Sequence, residues 1–206
     1  MWWPSENAEY NETSSGSECR YKCVDGYFWN DHRCNKPLPL GNICTGQTKC
    51  YDNSHEETDC PALGEDLFGQ DAWYAENGYC APKKFTIDST VEDQKTVIDL
   101  NTGLEWQDIR GGSDYTWLAA LEYCKNLTYA GFSDWRLPDL NELLSLINDD
   151  KISPASDLTN VAKMPYWTST SSMTDPSEAL YINFSTGRIG ASDKTTSSSR
   201  YVKCVR

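Results

Sequence analysis

The chain has 206 residues, 31 acidic against 18 basic side chains, a formal net charge of −13 at pH 7 and nine cysteines. That length fits one large domain, or a small one beside a medium one, and no run approaches the roughly 20 apolar residues of a membrane-spanning helix. The acidic balance argues against a nucleic-acid partner, because phosphate binding needs clustered Lys and Arg, and so many cysteines point to an oxidising compartment. Eight Trp and twelve Tyr are the packing units of a folded protein. The cysteine count is odd, so one lacks an internal partner or the chain is part of a longer one. Met1-Trp2-Trp3-Pro4 has neither the positive n-region nor the apolar h-region of a secretory signal. The expectation is a trimmed chain whose missing cysteine lies upstream of Met1.

The cysteines divide the chain. Cys19, Cys23, Cys34, Cys44, Cys50, Cys60 and Cys80 fall in the first part, which lacks long apolar runs and needs staples to fold. A boundary between Pro82 and Thr90 gives a cysteine-rich region over 1–85, read as two small knots at about 1–38 and 39–85, and a second domain over 86–206. Through Ile87 there are 14 acids and 7 bases, and after it 17 and 11, so neither part is a basic docking surface.

In the second part, Val97–Leu100 and Leu104–Trp106 read as short strands around an Asn101-Thr102-Gly103 turn. Thr116 caps a helix to about Leu127, with Trp117, Leu121 and Cys124 on one face. After Tyr129-Ala130-Gly131, Pro138 precedes a second helix. Asp139 and Glu142 have capping-box spacing, and Leu140, Leu143, Leu144 and Ile147 form its apolar stripe. Beyond Pro165 the period changes to two. Tyr166–Thr170, Ala179–Phe184 and Arg188–Gly190 read as strands, with Ser185-Thr186-Gly187 a hairpin turn, and Arg200–Val205 is a final strand. This order predicts an α+β fold. Cys124 and Cys204 are the only cysteines here; their disulfide would close a loop of about 80 residues, worth roughly 2–4 kcal/mol.

Five separated motifs carry a resemblance: Val97-Ile98-Asp99-Leu100-Asn101-Thr102-Gly103-Leu104-Glu105-Trp106-Gln107; Thr116 to Cys124; Gly131-Phe132-Ser133-Asp134-Trp135-Arg136-Leu137-Pro138; Tyr166-Trp167-Thr168-Ser169; and Tyr201-Val202-Lys203-Cys204-Val205-Arg206. Together they make residues 95–206 similar to the Lcl C-terminal domain family, named from a bacterial collagen-like adhesin. The resemblance implies a C-type-lectin-like fold, a secreted or surface-attached binding module, and a link to adhesion and glycosaminoglycans. More loosely, Glu18 to Cys34 and Gly41 to Cys80 resemble EGF-like or inhibitor-like knots.

The polar stretches Ser169–Glu178 and Ser192–Ser199 supply the candidate ligand contacts: Thr170, Ser171, Thr174, Asp175, Ser192, Asp193 and Lys194, with Arg200 beyond them. Asp134-Trp135-Arg136 has a ligand-facing reading and a scaffold reading, a buried Trp with an Arg–Asp pair locking the loop; the scaffold reading is the expectation. Tyr166, Trp167 and Tyr181 read as core aromatics. Arg188, Lys194, Arg200, Lys203 and Arg206 are a local basic cluster, although the net acidity of the domain disfavours a polyanionic glycan.

No cofactor is expected. The Trp29-Asn30-Asp31 triplet is far from a lectin calcium position, and Leu137-Pro138-Asp139 lacks the leading acid or amide. Asp149, Asp150 and Asp157 are the weak-calcium alternative to solvated carboxylates. Cys44, Cys50, Cys60 and His55 lack paired zinc spacing, so disulfides are expected. With two histidines and no nucleophile or phosphate motif, no enzyme is expected. The reading is an extracellular or cell-surface bacterial recognition module that binds a carbohydrate or protein without covalent chemistry. The alternatives are a filament or appendage subunit that binds copies of itself, and a diversified lectin-like display protein.

Overall fold

The computed structural model describes residues 43–206 except 63, 79 and 197–199, together with the backbone of four short strands nearer the start. Those strands form two antiparallel pairs, β1 (Ala8–Tyr10) with β2 (Tyr21–Cys23) and β3 (Phe28–Asn30) with β4 (Arg33–Asn35). The pairings of Cys19, Cys23 and Cys34 and the Trp29-Asn30-Asp31 triplet lie outside the described residues.

From Ile43 to Lys83 two disulfides do the work of a core. Cys44 is joined to Cys80 and Cys50 to Cys60. The three cysteines of the zinc alternative are therefore all in disulfides. The second bridge staples the hairpin of β5 (Cys50–Tyr51) and β6 (Glu57–Thr58), whose turn is held by Asp52 accepting from the amides of Ser54 and Glu56. One turn of helix, α1 (Asp71–Glu76), follows, and the Gln70 side chain before it clasps both backbone groups of Tyr51 at 2.9 Å.

The next sheet has the order β7 (Phe85–Asp88), β8 (Thr96–Asp99), β9 (Glu105–Gln107), all antiparallel. β7 starts within the boundary zone of 82–90: Phe85 lies opposite Asp99 and packs against the core. The β8–β9 turn forms because Asp99 accepts from the Asn101 amide and the Thr102 hydroxyl, and because Gly103 adopts a φ of +77°.

α2 (Trp117–Lys125) starts at Thr116, whose hydroxyl accepts from the Ala119 amide, and buries Ala120 and Cys124. α3 (Leu140–Leu144) has a complete capping box from Asp139 and Glu142. It is shorter than its apolar stripe implies. Leu146 and Ile147 continue in tight turns to the carbonyls of Leu143 and Leu144, and both stay buried without being helical. A three-stranded antiparallel meander follows: β10 (Pro165–Ser171), β11 (Glu178–Asn183) and β12 (Arg188–Asp193), with a register shift between Trp167 and Ser171. The architecture is α+β, as the element order predicts.

The expected final strand over 200–205 is not one. Its backbone bonds are divided among three neighbours. Tyr201 exchanges bonds with Pro165 and Trp167, Val205 with Arg136, and Arg206 with Glu105, while the Cys204 carbonyl accepts from Gln107. No single ladder forms, so the segment is a series of bridges. Val202 to Val205 are all buried. They join two apolar clusters, one around Trp106, Tyr166, Ile182 and Phe184, the other around Trp135, Trp167 and the Cys124–Cys204 disulfide. Among the described residues no helix is long and apolar enough to cross a membrane.

Lys203 is the one buried cation of this segment, at 1 % exposure. Its ammonium donates to the carbonyls of Ile109 (3.0 Å) and Asn160 (3.3 Å). Burial lowers its pKa to about 8, against the opposing charge of Asp108. Tyr166 is the counterpart: its hydroxyl donates to the Arg110 carbonyl at 2.5 Å and accepts from Ala162, and burial raises it to about 12.

Two measurements test this core. Replacing Cys124 and Cys204 together by Ala is expected to cost about 2–5 kcal/mol in denaturant unfolding; an unchanged midpoint would refute the structural role of the bridge. Because Lys203 titrates lower in the folded chain than in the unfolded one, the unfolded chain holds more protons between those two values. Stability therefore rises with pH from about 8 towards 10, by about 3 kcal/mol at full extent. Lys203→Met is expected to lose that rise in unfolding curves collected across pH 7.5–9.5; an equal rise in both proteins would overturn the assignment.

Candidate functional site

The polar loops converge on the first turn of α2. The Trp117 indole is fixed by its Nε1–H, which donates to the Thr168 carbonyl at 2.8 Å. The Lys194 ammonium lies 4.4 Å from the centre of that ring and donates to the Pro176 carbonyl at 2.7 Å. Around this contact the Lys194 amide donates to Ser177 and its carbonyl accepts from Trp117. Lys194 thus ties the β10–β11 loop, the end of β12 and α2 into one exposed rim.

The acids of the rim are turn formers. Asp175 accepts from the amide and hydroxyl of Ser177, and Asp193 from the amide and hydroxyl of Thr195. These hydrogen bonds hold both carboxyls below the usual carboxylate range. Among the described residues the other oxygen of each accepts no hydrogen bond. Thr174 pairs with the Ser172 hydroxyl, and Met173 stands between them at 96 % exposure.

Arg200 forms a second cation–aromatic stack. Its guanidinium carbon is 4.4 Å from the Tyr181 ring centre and 5.5 Å from that of Trp167. Tyr181 in turn lies across Gly190, where a Cβ would fall 2.4 Å from the phenol carbon and oxygen. Only glycine leaves room for the ring. Among the described residues Arg200 makes no ion pair, and its Nε is buried without a hydrogen-bond partner.

The structure separates the remaining site residues from this rim. The Thr170 hydroxyl accepts from the Leu140 amide, so it helps to start α3. Ser171 is exposed at the end of β10, and Ser192 is half-buried opposite Ala179. Ser197 to Ser199 lie outside the described residues. Tyr166 and Trp167 are fully buried, whereas Tyr181 is half-exposed.

Trp135 is 2 % exposed, donates to the Tyr129 carbonyl and packs edge-on against that ring. Its two flanking charges do not pair with each other as the scaffold reading supposed. Arg136 makes a two-pronged bond to Glu142 at 2.6 and 2.7 Å, and Asp134 accepts from Arg206. The Arg136 guanidinium holds the Glu142 carboxyl below its ordinary pKa. Nor do the C-terminal cations form one basic patch. Lys203 is buried, and Arg206 is held by Asp134 and Glu105 over the Phe132 ring.

The calcium alternative meets resident cations. Asp157 binds Lys151 at 2.6 Å and the Asn148 amide, Asp150 accepts from the Thr48 hydroxyl, and the Lys83 ammonium sits beside Asp149 and Asp157. Among the described residues no group of three or more His, Cys, Asp or Glu could hold a metal ion.

Sequence reasoning found the two loops by composition but missed Trp117, which it placed only on a helix face, and Lys83. A long-range cation–aromatic contact leaves no local signal. Compared with curated proteins, the chain finds no match. The family model for the Lcl C-terminal domain matches residues 95–206, the stretch that contains the rim, the Asp134-Trp135-Arg136 turn and the bridged chain end, and the chain belongs to the Lcl C-terminal domain family.

Proposed function

We propose that this chain is a bacterial extracellular or cell-surface adhesin-like module, which binds a carbohydrate or protein ligand non-covalently through the Trp117–Lys194 rim. The observation that carries the reading is Lys194 itself. One side chain orders two polar loops and a half-exposed indole into a surface on which Asp175 and Asp193 each have a carboxylate oxygen unpaired among the described residues. An ordered rim loses less entropy on binding than two independent loops. Arg200 on Tyr181 extends the surface with an amphipathic, planar contact suited to sugars and to peptide groups alike.

Disulfides in the first part and the membership of the Lcl family support an extracellular setting. We read the domain over 86–206 as C-type-lectin-like, with the region over 1–85 a stapled unit ahead of it. A long polyanionic glycan is the less suitable ligand. Asp175 and Asp193 flank Lys194, and Arg206 is already neutralised. No step of this function requires bond making or breaking.

A glycan array and a host-surface protein panel, probed with the intact chain, test the reading. Replacing both Trp117 and Lys194 by Ala is expected to weaken the ligands found by roughly tenfold, the scale of a cation–aromatic contact and the order it imposes. Trp117 packs against the second apolar cluster, so the double variant is expected to melt several degrees lower; Lys194→Ala alone should move the melting temperature little and still weaken binding, which separates loss of the contact from loss of the fold. Undiminished binding by the double variant would remove the rim from the site, and failure to bind any member of either panel would count against a recognition role.

A further inference from the structure

The stapled segment is fastened to the Lcl domain at a tight seam. The Thr45 carbonyl accepts from the Asp149 amide at 3.1 Å and from the Lys83 ammonium at 3.2 Å. Lys83 also donates to the Ile147 carbonyl, and the Thr48 hydroxyl to Asp150. Asn148 lies directly on Gly46: a Cβ there would fall 2.3 Å from its Oδ1, and the φ of +102° is one that glycine adopts freely. These contacts hold residues 43–83 against the Lcl domain.

Two hollows of about 300 and 320 Å³ adjoin at this seam, and both are lined by Cys44 and Lys83. These sizes are at the lower end of small-ligand sites, which favour boundaries between structural units. The first is lined by the Cys44–Cys80 disulfide, Ala75 and Pro82 as apolar groups and by Gln47, Thr48, Asn148 and Asp157 as polar ones. Hydrogen-bonding capacity remains there. Two of the three ammonium protons of Lys83 go to carbonyls, and the Gln47 side-chain amide has no partner among the described residues.

Charge narrows the ligand. Asp149 and Asp157 line the two hollows and repel an anion, and a cation would have to compete with Lys151, paired to Asp157, and with the nearby Lys83. A neutral molecule with many hydroxyl groups suits a wall that alternates donors and acceptors beside apolar groups. We propose that the seam beside Lys83 is a second binding site, for a neutral hexose unit, built jointly by the stapled segment and the Lcl domain. It uses none of the residues of the Trp117–Lys194 rim and stands independently of it.

The test is an NMR titration of the full chain with free glucose, galactose, mannose and N-acetylglucosamine. At least one sugar is expected to shift the amide signals of Gln47, Thr48 and Asn148 saturably. Gln47→Leu and Asp157→Asn should each weaken that response by roughly three- to tenfold, the worth of about one hydrogen bond. The Trp117→Ala/Lys194→Ala double variant should leave it unchanged, which separates this site from the rim. No saturable shift with any of the four sugars, a response untouched by both seam variants, or one abolished by the rim variant would each overturn the proposal.

Discussion

The last six residues are the constraint on which the Lcl domain depends. A segment that bonds to β9, to the Arg136 turn and to β10 can be satisfied only when all three are in place. Burial on both sides follows, and with it an unusual cost: the alternating side chain at 203 has no route to solvent, so a lysine there must find acceptors inside. The Ile109 and Asn160 carbonyls provide them and, in doing so, hold together the loops that carry those carbonyls. The disulfide to Cys124 then ties this shared segment to α2, whose first turn bears Trp117. The position of the rim is in this way a consequence of how the chain ends.

Local signals were legible wherever the physics is local. The Asp139/Glu142 capping box, the Asp99 turn and the period-two runs of β10 and β11 each lie within a few residues, and the structure forms them where the sequence indicates. What was misread depends on distant partners. Tyr201-Val202-Lys203-Cys204-Val205 has strand composition, yet its neighbours divide it into bridges. Phe85-Thr86-Ile87, beside two lysines, carries no element assignment from the sequence, yet Asp99 and Val97 pair with it across the sheet. The partner of Asp134 is 72 residues away at Arg206, and no tripeptide could show it.

The candidate site follows the same division. Loop composition located Asp175 and Asp193 but could not show that their carboxylates close turns, nor that Lys194 would lie on an indole from another element. Lys194, Arg200 and Arg206 each lie on an aromatic face. An acidic domain that parks its C-terminal cations on rings keeps their shape and donors while dispersing their field.

Attachment at the seam carries a related consequence for the stapled segment. A segment without a core of its own gains order from its disulfides, but those bridges do not fix its orientation. Orientation comes from Gly46 under Asn148 and from Lys83 between two carbonyls. Burial lowers the lysine's pKa, opposed by Asp149, Asp157 and Asp99, and its partly buried ammonium attaches through charge-assisted hydrogen bonds to two carbonyls. Contacts of this kind weaken little with salt. The segment 43–83 is thereby held against the Lcl domain, and the two half-open hollows between them take their shape from both sides.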